Sequence, residues 1–290
     1  YSSRFLVDKS IEFIGSNLAD KQPFFAYLPF QAVHIPVQAP QAFIDRYMGV
    51  YDEGWDVLRE QRRARSVALG LVPANAAIDR MPTTGDWAAL SDERRRYEAK
   101  RMAVYGGMVE AMDHHLGRLF DYLKAVGQYD NTLIIFTSDN GAEASGPGDP
   151  HSFVGRQGPN SLGYTLDYET LGLKGSYNTI SPSFASAAAS PLSLFKFYAA
   201  EGGMRVPMIV AGPGVQGVGD VNHAFSFVTD IAPTLLTLAG LTAPEGRYGG
   251  RPVAPMIGRD LTPLLRGEVE RAYQPDDKIG YELAGHAALF

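Results

Sequence analysis

Three features of the sequence predict an α/β fold. A helix-period apolar stripe that begins at Ser91 runs, through a short connection, into Asn131-Thr132-Leu133-Ile134-Ile135-Phe136-Thr137. A helix followed by such a run is the αβ half of a βαβ unit, and continuous apolar, β-branched character suits a strand of a parallel sheet covered on both faces. The pattern recurs where Val206-Pro207-Met208-Ile209-Val210-Ala211 precedes a helical stretch through Leu235, Leu236 and Leu238. The first of these strands stops at Ser138-Asp139-Asn140-Gly141, and ligand crevices of open α/β sheets lie at such carboxyl ends.

In chain order, residues 2–18 carry Val7, Ile11, Ile14 and Leu18 at three- and four-residue spacing, an amphipathic helix with one buried face. Phe24-Phe25-Ala26-Tyr27-Leu28-Pro29-Phe30 reads as a short apolar strand, and His34 lies beyond it in a loop pinned by Pro36 and Pro40. Residues 41–90 are charged and irregular, with short helices predicted around Phe43–Met48 and Trp55–Ala68, and read as an insertion over the site. Ser91 is a good N-cap, with Asp92 and Glu93 in the first turn, and the helix it opens carries Met102, Tyr105, Val109, Met112, Leu116, Leu119 and Leu123 before Gly127 ends it. Gly141 lets the backbone turn away after the strand. Residues 142–190 are rich in Gly, Ser, Pro and Ala, including the run from Ser181 to Ser190, and read as a lid-like loop. Thr229 or Asp230 caps the last clear helix, which Gly240 terminates.

Composition narrows the function classes. With 290 residues, 45% of them hydrophobic, the chain can bury a sizeable core. A formal net charge of -6 argues against nucleic-acid binding, which needs a basic face. The absence of cysteine excludes disulfides, thiolate zinc sites and a cysteine nucleophile within these residues. No apolar run has the length of a bilayer span, so the chain reads as soluble with no membrane partner, and nothing in it decides between a bacterial-type cytoplasm and periplasm. It begins at Tyr1 and ends at Ala287-Ala288-Leu289-Phe290, which reads as a piece of a longer protein.

A few residues could carry chemistry. Asp139 and Asn140 offer a carboxylate and an amide carbonyl, hard oxygens suited to calcium or magnesium, although Ser-Asp-Asn-Gly also makes an ordinary turn. His34 is either a packed histidine satisfied by a carbonyl or a proton donor near a leaving group. Lys196, in Ser193-Leu194-Phe195-Lys196-Phe197-Tyr198, is either a snorkelling surface residue or a fixed cation for an oxyanion. His114 and His115 read as helix-surface or packing residues, and His151, His223 and His286 have no context that raises them. Glu201-Gly202-Gly203 followed by Arg205 reads as a tight turn with an internal ion pair.

Taken together and in order, several of these pieces resemble successive blocks of the type I, formylglycine-dependent sulfatases. They are Phe24 to Phe30 with His34 and Pro36, Met112-Asp113 with Gly117-Arg118, Asp130-Asn131-Thr132 leading to Ser138-Asp139-Asn140-Gly141, and Lys196 before Glu201-Gly202-Gly203-Met204-Arg205-Val206-Pro207. The pattern is most similar to bacterial arylsulfatases. The resemblance implies an alkaline-phosphatase-like α/β fold, a mixed sheet between helix layers with a smaller C-terminal subdomain. On this reading residues 1–265 are part of a catalytic domain and residues 266–290 begin the subdomain. It also implies calcium-assisted hydrolysis of a small-molecule sulfate monoester by a formylglycine, with Asp139 and Asn140 as metal ligands and His34 and Lys196 contacting the sulfate and the departing oxygen.

The Cys/Ser-x-Pro-x-Arg motif that yields a formylglycine is not found in these residues, nor is the Asp pair that would complete the calcium site. The expectation is therefore a sulfatase whose nucleophile lies upstream of Tyr1, with the 290-residue chain inactive alone. A phosphodiesterase or phosphonate monoester hydrolase of the same superfamily, or a non-catalytic pseudoenzyme, are the alternatives.

Overall fold

The computed structural model describes residues 1–78, 80–146 and 153–289, and His151 lies outside them. Tyr1–Tyr129 and Asn140–Val206 form one compact unit, and Asp130–Asp139 and Pro207–Phe290 form another. The chain mixes helices and strands, in keeping with the α/β class. No helix of the described residues is long and apolar enough to cross a membrane.

The first unit is built on its longest helix. Helix α1 (Ser2–Asn17), α2 (Gln41–Ile44) and α3 (Gly54–Ala68) precede α4 (Asp92–Ala125). The Ser91 hydroxyl accepts from the Arg94 amide at 3.2 Å, the capping bond that the sequence predicts, and Gly127 takes φ +69° after the last turn. Val7 and Ile14 of α1 pack on Leu119 and Leu123 of α4. Val37, Ala39 and Ile44 pack on Val104 and Met108 one face round.

The buried face of α4 differs from the expected stripe. Val109 is 40% exposed, whereas Ala111 and His115 are buried, and around the first half of the helix so are Glu98, Lys100 and Arg101. The cause is the segment around residues 165–180, which wraps the helix and meets its charges. Arg101 donates to the carboxylate of Glu98 at 2.9 Å and to the Thr179 carbonyl at 2.6 Å, and Asn178 donates to the Arg101 carbonyl at 3.2 Å. A buried charge persists only when so paired.

Composition also misleads in the expected lid. Beyond α5 (Phe153–Gln157), the Ser/Ala run folds as α6 (Ser181–Ala189), with Phe184, Ala185 and Ala187 wholly buried. Its small side chains allow close approach to α3, so that Phe184 meets Trp55 and Trp87 edge to face at 5.5 and 6.1 Å. The Ser183 hydroxyl accepts from the Gly85 amide at 3.0 Å, tying the 41–90 region to this core. The one-turn helix α7 (Glu201–Met204) completes the unit.

The second unit holds strands β1 (Ile134–Thr137) and β2 (Met208–Ala211). They pair antiparallel, Ile134 opposite Ala211 and Thr137 opposite Met208, and β1 is only half-buried along its length. The parallel, doubly covered pairing expected of β1 is thus absent among the described residues. Phe24 to Phe30 forms no ladder either, and Phe25 and Tyr27 are exposed. An apolar, β-branched run specifies an extended backbone but not its partner. Gly212, at φ +127°, turns the chain after β2, where an added Cβ would stand 2.5 Å from the Thr132 carbonyl oxygen.

Helix α8 (Ile231–Leu238) follows, then the short ladder of β3 (Arg247–Tyr248) with β4 (Arg251–Pro252), α9 (Thr262–Leu265), and a ladder of β5 (Gly280–Leu283) with β6 (His286–Leu289). Asp230 is the N-cap residue of α8, one of the two expected, and is wholly buried, but its side chain makes no capping bond to that helix. Its carboxylate instead accepts from the Phe227 and Arg259 amides, both at 2.7 Å, and from the Tyr273 hydroxyl at 2.6 Å.

Candidate active site

The first unit brings together two residues that lie 162 positions apart. Nζ of Lys196 is 3.3 Å from Nε2 of His34. The other ring nitrogen of His34, Nδ1, lies 2.8 Å from the Ile35 carbonyl oxygen. A carbonyl only accepts and an ammonium only donates, so this geometry assigns the proton to Nδ1 and the lone pair to Nε2. His34 is exposed, and its own amide donates to the Gln31 carbonyl at 2.7 Å, which fixes the loop that carries it. Of the two readings of this histidine, packing within a core is thereby removed.

Lys196 does not snorkel. Its ammonium is 2.9 Å from Oε2 of Glu143, and the two side chains are 20% and 11% exposed. Its backbone amide donates to the Ala142 carbonyl at 3.0 Å, so consecutive residues hold both ends of the lysine. Leu194 and Phe197, on either side, take left-handed φ values of +63° and +80°. Such conformations persist where surrounding structure holds them, and they gather at functional sites.

Glu143 escaped the sequence reading because a lone glutamate in a Gly/Ser-rich stretch carries no pattern. Burial pushes its pKa up, but hydrogen bonds from Ser145 and Lys196 together outweigh that and hold the carboxyl below the usual glutamate value. The Ser145 amide donates to Oε1 at 2.8 Å, leaving Oε2 to the lysine.

Three glycines hold the segments that carry these groups. The Gly141 amide donates to the Gly203 carbonyl at 2.9 Å, and the Gly202 amide donates to Ser193 at 2.8 Å. A Cβ on Gly141 would stand 1.9 Å from the Gly202 oxygen, and one on Gly202 would stand 2.2 Å from the Leu194 oxygen. Gly141 is therefore required for close backbone approach, not for the turn that the sequence suggested. Glu201 and Arg205 form the expected ion pair, 3.2 Å apart at the surface.

Asp139 is exposed and falls in the second unit, two residues past the end of β1, while Asn140 is half-buried and falls in the first. Among the described residues no three His, Cys, Asp or Glu side chains gather as a metal cluster. The pair nonetheless suits a hard cation by donor chemistry, one carboxylate and one amide carbonyl at a strand's end.

The remaining histidines stand apart. His115 is buried at 8% exposure with Nδ1 3.2 Å from Arg118, and the His114 ring meets Phe43 at a tilt, 5.6 Å between centroids, both of them packing contacts. His223 and His286 lie in the second unit.

Comparison with known proteins gives the context for this arrangement. The profile of the Sulfatase family matches residues 1–241. An uncharacterized sulfatase of Schizosaccharomyces pombe is 37% identical over 293 residues, covering 100% of this chain and 52% of the relative. An arylsulfatase of Klebsiella aerogenes is 34% identical over 246 residues, covering 84% of this chain and 52% of the relative. The chain thus spans about half the length of the curated relatives it matches. Among solved structures, Ps i-CgsB in complex with k-i-k-neocarrahexaose superposes with a TM-score of 0.55 at 23% identity, over 100% of this chain and 44% of that one. That likeness is one of fold, the alkaline-phosphatase-like α/β architecture.

Proposed function

The chain belongs to the sulfatase family, and from that premise we propose that the whole protein is a sulfuric ester hydrolase of arylsulfatase type, cleaving a small-molecule sulfate monoester. The observation that carries the reading is a cation held by two partners at its ammonium. Nζ of Lys196 meets Nε2 of His34 and Oε2 of Glu143, all three residues lying within the stretch 1–241 that matches the family.

As the ester bond to sulfur breaks, negative charge gathers on the departing alcohol oxygen. Glu143 and His34 account for two of the three donors of the Lys196 ammonium, which also lies 5.7 Å from the centre of the Phe197 ring, and the third donor can meet that oxygen. A preorganised donor of this kind lowers the barrier because no reorganisation is needed when charge appears. His34 accepts in the present arrangement. To act as a general acid, Nε2 must first take a proton, which replaces its bond from Lys196.

Asp139 and Asn140 would supply two oxygen ligands of a calcium site, whose full shell takes about six to eight. When bound, calcium supplies Lewis-acid polarisation of a sulfate oxygen. The formylglycine nucleophile and the remaining ligands belong, on this reading, to polypeptide outside residues 1–290.

The test is the choice of ester. The full-length protein is expected to turn over 4-nitrophenyl sulfate in a calcium-dependent manner, with far slower cleavage of phosphodiesters and phosphonate monoesters. Preferred cleavage of a phosphorus ester would reassign it within the superfamily, and no turnover of any of them would leave a pseudoenzyme.

A further inference from the structure

We propose that Glu143 is a positioning residue for this reaction, its carboxylate fixing the direction in which the Lys196 ammonium presents its remaining N–H to the departing oxygen. The inference rests on the sulfatase reading above and deepens it. A lysine is a compact charge on a flexible four-carbon stem, so without an anchor its ammonium samples many positions. Here the anchor is double. Ala142 takes the backbone amide of Lys196 and Glu143 takes the ammonium, at 3.0 and 2.9 Å.

The anchor is itself held. The Ser145 amide binds Oε1 at 2.8 Å, so the carboxylate cannot swing away, and at 11% exposure little water competes for it. Hydrogen bonds from Ser145 and Lys196 outweigh the effect of burial and keep the group ionised at neutral pH. His34 alone could not serve this purpose. Its Nε2 offers one lone pair and no charge, and a proton taken up there removes its hold on Lys196.

A positioning role has a signature that a merely structural one lacks. Phenol is a poorer leaving group than 4-nitrophenol, so more charge reaches the oxygen of phenyl sulfate as the bond breaks, and a misplaced Lys196 harms that ester more. In the full-length protein, Glu143→Ala is expected to lower kcat about 10-fold on 4-nitrophenyl sulfate and about 100-fold on phenyl sulfate, with KM within about 3-fold. Glu143→Gln keeps size and an acceptor but not charge, and should fall between Ala and wild type. Combining Glu143→Ala with Lys196→Ala should add nothing to the loss from Lys196→Ala alone, because Glu143 acts through that lysine.

Equal losses on the two esters overturn the proposal, as do full additivity in the double variant and losses in both Ala and Gln variants that merely follow loss of folded protein by circular dichroism. If wild type cleaves sulfate esters while the Glu143 variants match it on both, the positioning role falls and the sulfatase reading stands. If wild type cleaves neither ester, both fall.

Discussion

Lys196 Nζ donates to His34 Nε2 across 3.3 Å, with His34 Nδ1 bound to the Ile35 carbonyl behind it. In this arrangement Nε2 of His34 accepts, and on the proposed function it helps aim the lysine and becomes a donor only after protonation. His34→Ala in the full-length protein should therefore lower kcat by about 100-fold or more on an aryl sulfate, with KM little changed. Steady-state kinetics decide this, and a near-normal rate removes His34 from the site.

Gly141→Ala should cost stability directly. The new methyl would sit 1.9 Å from the Gly202 oxygen and 2.9 Å from its carbon, both backbone atoms that cannot move without shifting α7. A loss of about 2–4 kcal/mol is expected from urea unfolding, through overpacking and weakening of the Gly141–Gly203 hydrogen bond. An unchanged midpoint would mean that these segments part easily.

In the second unit, Asp230→Ala should be more damaging than its position at a helix start suggests. It strands the Phe227 and Arg259 amides and the Tyr273 hydroxyl, all of which now donate to one buried carboxylate. Leaving such groups unpaired costs about 3 kcal/mol or more. Tyr273→Phe removes one donor and should cost about 1 kcal/mol, and the ordering of these two variants by chemical denaturation is the check.

His115 makes the packing of α1 on α4 sensitive to acid. Burial first, then the neighbouring His114 and Arg118, lower its pKa, while Asp8 opposes them and Arg4 adds to them. Tyr1, the N-cap residue of α1, meets the ring at a tilt, 6.0 Å between centroids. Because the folded pKa is the lower one, the unfolded chain binds the proton first as pH falls. The stabilising contribution is complete above the unfolded value of about 6.5 and is lost as pH falls through the window below it. His115→Gln should flatten the thermal midpoint between about pH 7.5 and pH 5.5 relative to wild type. Equal slopes in the two proteins would contradict this.

The legible parts of the fold were those in which a local rule agrees with the tertiary structure. The Ser91 cap, the Val7–Ile14 face of α1, β1, β2 and the Gly240 stop are all of this kind. Partnering was not legible. An apolar strand does not say whether its neighbour runs parallel, and Phe24 to Phe30 has no ladder within the described residues. Nor does the composition of Ser181–Ala189 announce a core helix, since Ser and Ala suit a loop and a tight helix contact equally well.

His34 and Lys196 enter the candidate site through the resemblance to sulfatase blocks, since their local settings alone suit a packed histidine and a snorkelling lysine equally well. Glu143 does not, because its role depends wholly on which cation the fold brings to it. The stripe on α4 was misplaced for a related reason. Sequence periodicity treats Glu98, Lys100 and Arg101 as solvent-facing, and only the segment around residues 165–180 makes their burial tolerable.

The most direct test of the central claim is the rate at which Lys196→Ala cleaves 4-nitrophenyl sulfate in the full-length protein, set against wild type under saturating calcium. Loss of the cation that meets the departing oxygen should lower kcat by about 100- to 1000-fold while the protein remains folded. A Lys196→Ala enzyme that turns over the ester within a few-fold of wild type would contradict the claim that this pinned ammonium drives ester cleavage.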